Sequence, residues 1–195
     1  MNRLKKQIDF ITEIDKLKQI LRQSVLIDDR RRENDAEHSW HLAVMAMLLF
    51  EYVKEEEVDL LRVMKMVLIH DIVEIDAGDT FAYDEKGYED KREREMKAAE
   101  RIFNILPQDQ AEKMNELWLE FEEQETPEAC YAASLDRLQP LLLNYNSEGH
   151  TWKKPGVNSE KVYQRMAIIK ESTPDIWEYV VEIIEDSISR GYLKR

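Results

Sequence analysis

The chain has 195 residues, and 28 Lys+Arg against 41 Asp+Glu give a formal net charge of −13, which disfavours a non-specific grip on DNA, RNA or an anionic membrane. Five glycines and five prolines stand where average usage gives roughly 23 together, too few turn formers for an all-β fold. The single Cys130 rules out an internal disulfide framework, no signal-peptide pattern opens the sequence, and the uncharged stretch 38–50 is well short of the ~20 apolar residues that span a bilayer. The expectation is one cytoplasmic domain over residues 1–195, with no membrane partner.

Helical periodicity runs through nearly the whole sequence, and glycines fall between or after its runs. Residues 2–22 place Leu4, Ile8, Ile11, Ile14, Leu17 and Leu21 three or four apart, the stripe of an amphipathic helix. The pattern breaks over 22–34. Asn34-Asp35-Ala36-Glu37 has the form of a capping box and predicts a helix from there to about Val53. Trp40, Ala43, Val44, Met47, Leu48 and Phe50 make that helix apolar nearly all round, so it should lie centrally. A third helix over 58–77 carries Leu61, Met64, Val67, Leu68, Ile72 and Ile75 and stops at Gly78. A loop with Asp79, Phe81, Tyr83, Asp84 and Tyr88 follows, then a charged helix over 90–106 and another starting at Pro107. Thr126-Pro127 puts an N-cap before a proline at the first helical position, opening a helix to about Tyr145. Thr173-Pro174 repeats the device, and Gly191 closes the last helix. The predicted class is all-α, with the C-terminal helices (about 159–190) packing on the rest.

His70-Asp71 stands out because it interrupts an apolar run, Met66 to Ile69 before it and Ile72-Val73 after it. A buried ion there has to be compensated. On a helix, Glu74 lies three residues from Asp71 and four from His70, so all three share a face. A His and two carboxylates in an apolar setting suit a divalent cation, whose charge offsets their desolvation. The alternative is a His bonded to core backbone and an Asp paired with an Arg. His38 sits in the first turn of the predicted central helix, with His41 three residues on; it is either a further ligand or a solvent-exposed His. Asp136 lies in the most apolar part of its helix, a further candidate ligand or a partner of Arg137. Pro140 cannot donate to the Asp136 carbonyl and should kink the helix there.

Taken together, His38, His70-Asp71 and Asp136 resemble the H…HD…D signature of the HD-domain metal-dependent phosphohydrolases. The surrounding residues, 32–41, 70–79 and Asp136-Arg137-Leu138-Gln139-Pro140, are similar to the subgroup that contains bacterial 5′-deoxynucleotidases. The likeness runs from about Leu17 to Asn146. It implies an all-helical HD-type bundle, commonly a homodimer, in which His38, His70, Asp71 and Asp136 bind one divalent metal ion (Mn, Co, Mg, Fe or Zn). It also implies that Glu74 and Asp79 act in proton transfer and positioning. Family nucleotidases often place an Arg-Trp pair before the first metal His; here Arg22 is followed by Gln23-Ser24-Val25-Leu26, with no Trp. The 78–88 loop and the 144–157 segment, with His150 and Trp152, are then candidates to shape the pocket.

Two His and two carboxylates leave charge near neutral around a divalent ion, with room for a water and a phosphoryl oxygen. Arg22, Arg30, Arg31 and Arg32 are candidate phosphate clamps. The expected substrate is a small phosphate monoester, a nucleoside 5′-monophosphate above all, and not a nucleic acid duplex. One alternative is a nucleotide-binding or regulatory HD module without turnover. Another is a two-iron oxidase, which needs more His ligands than the spare His41 and His150 offer.

Overall fold

The computed structural model describes residues 2–28 and 31–195. The first helix, α1 (Arg3–Ile14), is capped by the Asn2 side chain and then tightens into a 3₁₀ stretch, Asp15–Gln19. It stops well before residue 22, because the next residues extend into β1 (Leu21–Val25), which pairs antiparallel with β2 (Arg32–Asn34), Leu21 opposite Asn34 and Val25 opposite Arg32. The expectation of helix over 2–22 is corrected there. Leu21 continues the helical stripe, yet it is exposed, while Arg22, Ser24 and Val25 turn inward. A pairing partner seven to thirteen residues away outweighs the local period, as it often does for short strands.

Asn34 caps α2 (Asp35–Leu48): its side chain accepts from Glu37 N at 2.9 Å, and Glu37 Oε2 accepts from Asn34 N at 3.2 Å. This helix is shorter than expected, ending at Leu48 before a 3₁₀ turn at Phe50–Tyr52. The anticipated helix over 58–77 is three pieces: α3 (Leu60–Ile69), a 3₁₀ turn His70–Val73, and α4 (Glu74–Ala77). Gly78, with φ +74°, ends α4 in a conformation that glycine adopts without strain. Then come α5 (Lys91–Phe103), α6 (Gln108–Glu123), α7 (Pro127–Asn146), α8 (Ser159–Ser172) and α9 (Pro174–Ser189). Thr126 caps α7 through Ala129 N, whereas Thr173 does not cap α9: it also ends α8, and its hydroxyl donates back to Ile169 O. Pro140 lies inside α7, which continues through it as one element.

The core divides in two. The larger part gathers Leu42 and Ala46 of α2, Val63 and Met66 of α3, Leu135 and Leu141 of α7, and Ile169, Val180 and Ile184 of α8 and α9. Burying one such leucine stabilises the fold by about 1.5–3 kcal/mol. The smaller part packs Phe10 of α1 with Ile102 and Phe103 of α5, Trp118 of α6, and Ile69, Ile72 and Val73. The His70–Val73 turn therefore lies where the two parts meet. No helix among the described residues is long and apolar enough to cross a membrane.

Candidate metal centre

Three elements bring the His and Asp side chains together at that seam. α2 supplies His38, the 3₁₀ turn supplies His70 and Asp71, and α7 supplies Asp136; all four are buried. His38 Nε2 lies 3.0 Å from Asp136 Oδ1 and 3.9 Å from Asp71 Oδ2. His70 Nε2 lies 3.1 Å from Asp71 Oδ1 and 3.7 Å from Asp136 Oδ1. One atom each of His38, His70 and Asp71 falls within 4.8 Å of the others, a spacing open to a shared cation.

The ring tautomers follow from the outer hydrogen bonds. Gln139 is fully buried, and its amide nitrogen donates to Glu33 Oε1 at 2.6 Å, so its carbonyl oxygen faces His38 Nδ1 at 3.1 Å. His38 must donate from Nδ1 there, which leaves Nε2 as a bare lone pair. His70 Nδ1 likewise donates to the Val67 carbonyl at 3.0 Å, and its buried Nε2 has no hydrogen-bond partner. Both Nε2 atoms thus face carboxylate oxygens, that of His38 as a bare lone pair and that of His70 with a proton that a cation would displace. Ring nitrogens and carboxylates converging in a dry site suit a cation between them, and outer anchors of this kind are what orient metal-binding imidazoles. The donor set, two nitrogens and two carboxylates, fits a divalent transition metal or magnesium.

Charge in the cluster is strongly perturbed. Burial, with Arg22 nearby, lowers the His38 pKa to about 4. Burial opposes the imidazolium of His70 as well, but Asp71 and Asp136 outweigh it and raise this group to about 10. The carboxyl of Asp71 is held low against burial by His70 and Arg22, and that of Asp136 by Arg137 and His38. Both contacts of the bland alternative are present too: His70 bonds core backbone, and Asp71 accepts from Arg22 at 2.5 Å. They occupy the outer edges of these side chains and leave the inner atoms convergent.

Beside the His cluster is an acidic one. Asp35, Asp71 and Glu74 bring carboxylate oxygens within 4.8 Å of one another, all buried. Burial and the neighbouring Asp71 raise Asp35 to about 8 and Glu74 well above its ordinary value. Like charges so close cannot all ionise, so protons reside here. Glu74 does not share the His70 cluster, because the turn at His70–Val73 is 3₁₀ and shifts it toward Asp35. Asp79 is half-buried just past Gly78, with Oδ2 unpartnered and its pKa raised by burial. It lines a cleft with Arg22, Phe81, Tyr83, Trp152, Arg137 and Arg165.

Among the arginines singled out from sequence, Arg22 is buried within the acids, 2.5 Å from Asp71 and 3.4 Å from Asp35, which hold its pKa up against burial. Arg31 forms a two-point pair with Glu37 at 2.6 and 2.8 Å, and Arg32 donates to the carbonyls of Arg22 and Leu21. Arg30 lies outside the described residues. Sequence reading missed Asp35, Glu33, Gln139 and Arg165. Asp35 had a signal, three residues before His38 and hence on its side of α2; Gln139 likewise lies three residues after Asp136. Arg165 had none, being on α8, 28 residues past Arg137 in sequence and beyond any local period. Trp152 and Phe81 both pack and line the cleft, one buried and the other half-buried.

Comparison with known proteins places this geometry. Residues 14–177 match the HD domain family. The chain is 31% identical over 136 residues to the human 5′-deoxynucleotidase HDDC2, covering 69% of this chain and 65% of that one, just under two thirds of its length. It is 29% identical over 177 residues to the 5′-deoxynucleotidase HDDC2 of Bos taurus, 90% of this chain and 83% of the relative. Among solved structures, a "predicted metal-dependent phosphohydrolase" from Magnetospirillum magnetotacticum MS-1 superposes with a TM-score of 0.95 at 53% identity, over 99% of this chain and 96% of that one.

Proposed function

This chain belongs to the HD-domain family, and on that premise we propose that it is a metal-dependent phosphohydrolase that releases phosphate from a nucleoside 5′-monophosphate, as a 5′-deoxynucleotidase does. The observation that carries this reading is the convergence of His38 and His70 Nε2, each ring fixed by a bond at Nδ1 and each Nε2 directed at Asp136 Oδ1, at 3.0 and 3.7 Å. His38, His70, Asp71 and Asp136 hold the cation, one per chain, drawn from Mn, Co, Mg, Fe and Zn. When bound, such an ion lowers the pKa of a water and polarises a phosphoryl oxygen.

The chain's own groups do the rest. The outer bonds from Gln139 and Val67 keep both rings from turning. Glu74, buried beside Asp35, takes the proton of the attacking water in its ionised form, and the burial and neighbouring Asp71 that raise its pKa make that form a stronger base. Asp79, at the cleft edge with one free oxygen, orients the substrate and returns a proton to the leaving ester oxygen. Arg22 fixes Asp71 and Asp35 and completes the positive side of the site. Phe81, Tyr83 and Trp152 give the nucleoside an aromatic wall.

We take residues 1–195 as one HD-type unit closed by the C-terminal helices, since α8 packs on α7 and brings Arg165 to the cleft. Trp40, Met47 and Leu48 leave an apolar strip exposed on one side of α2, which supports a homodimer. The free thiol of Cys130 suits a cytoplasmic location. A phosphate-release screen over nucleoside and deoxynucleoside 5′-monophosphates, with Mn, Co and Mg each added, tests the activity. Release from at least one monophosphate with at least one metal is expected; none under any condition contradicts it.

A further inference from the structure

We infer that Arg137 and Arg165 form an anion-binding subsite that receives the dianionic terminal phosphate of the substrate, an inference that rests on the phosphohydrolase reading above. Most cations near the cleft already have partners. Arg22 is held by Asp71 and Asp35, Arg31 by Glu37, and Arg32 by two backbone carbonyls. Lys154 donates to Gln23 Oε1 at 2.7 Å and lies 4.4 Å over the Phe81 ring, and Lys161 pairs with Glu85 at 2.9 Å. Arg165 differs. Among the described residues it makes no hydrogen bond and no ion pair, although the chain carries 41 acids to 28 bases.

Its strongest charged neighbour is another cation, Arg137, whose repulsion outweighs the attraction of Asp136. Arg137 gives one nitrogen, Nη1, to Asp136 Oδ2 and so stands directly behind a proposed metal ligand. The two guanidinium groups line the same cleft as Arg22 and Asp79, and both also face the adjoining hollow beyond Tyr83. Two half-buried like charges repel unless an anion lies between them. A phosphate dianion offers three oxygens to two planar forks, and its second charge is what the pair rewards. The geometry therefore selects terminal phosphate monoesters over diesters, which carry one charge and fewer free oxygens. The position of Arg137 next to Asp136 puts this subsite on the metal side of the cleft, beside the phosphorus to be attacked.

Calorimetric titration of inorganic phosphate into the Co-loaded protein tests the inference without turnover. The wild type is expected to bind phosphate, Arg165→Met to weaken it about tenfold or more, and Arg165→Lys to recover part of the loss, with metal content unchanged in all three. Equal phosphate affinity in the wild type and Arg165→Met overturns the subsite. So does equal weakening by Met and Lys, because a positive charge would then not matter. Should Arg165→Met fail to fold, Arg165→Lys against the wild type carries the comparison, with a loss below tenfold expected and no loss overturning it. Failure to release phosphate from any monoester would instead reject the phosphohydrolase reading, and the titration would still decide whether the two arginines bind an anion.

Discussion

The candidate metal centre and the wall of the cleft are built on opposite plans. At the centre each polar group has a second contact that fixes it: His38 through Gln139, His70 through the Val67 carbonyl, Asp71 through Arg22, and Asp136 through Arg137. On the wall, Asp79 keeps a free oxygen, and Arg165 carries a charge with no hydrogen bond or ion pair among the described residues. A centre organised in this way is formed before anything binds, whereas the wall is completed by what binds to it. The difference separates two kinds of residue, those whose loss unmakes the site and those whose loss changes what the site accepts.

The strongest way to sharpen that contrast is Glu74→Gln. Glu74 belongs to the acidic cluster and not to the His cluster, so this variant should retain its metal while phosphate release falls about 100-fold or more, the usual worth of a positioned acid or base. Rate and metal content measured on the same sample check it; loss of the metal would place Glu74 among the ligands. Next is Gln139→Met, which removes the anchor of His38 without touching a proposed ligand. Metal affinity should fall about 10–100-fold, read by competition with a chelator, while Arg165→Met leaves it unchanged. If both variants weaken the metal alike, the distinction between centre and wall fails.

A smaller effect concerns pH. Glu33, buried and bonded to Gln139, is raised to about 7, Asp35 to about 8, and His70 to about 10. In the unfolded chain both carboxyls are ionised and His is neutral above roughly pH 6.5, so between pH 6.5 and 9 the metal-free fold binds more protons than the unfolded chain. Its stability must fall as pH rises through that window. His38, lowered to about 4, acts only below it. Melting temperatures of the metal-free protein should decline from pH 6.5 to 9, and Glu33→Gln should flatten the decline. A flat or rising profile would show that these groups do not hold protons in the fold. With metal bound the His70 part of this decline disappears, because His70 must be neutral to ligate.

Much of the centre was legible because its residues sit in local patterns that physics makes unusual: an acid and a His inside apolar runs at 70–71, an acid inside another at 136, and a capping box that brings His38 one turn into a helix. The helical class was legible from spacing and from the scarcity of glycine and proline. The strands at Leu21–Val25 and Arg32–Asn34 were not, since their pairing is non-local and the helical stripe passes through Leu21. Nor was the partnering of the arginines. A cluster of basic residues at 30–32 looks like a clamp in sequence, while the structure gives Arg31 to Glu37 and Arg32 to backbone carbonyls, and sets Arg165 from a distant helix in the cleft. Periodicity reports which face a side chain takes and not which acid it meets.

The central claim is that His38, His70, Asp71 and Asp136 hold one divalent cation on which phosphate release depends. Elemental analysis of the purified wild type and of Asp71→Ala, with phosphate release measured on the same preparations, tests it most directly. The account predicts about one transition-metal or magnesium ion per chain and activity in the wild type, with neither in a folded Asp71→Ala. Equal metal content in the two proteins, or activity that survives in Asp71→Ala, would contradict it.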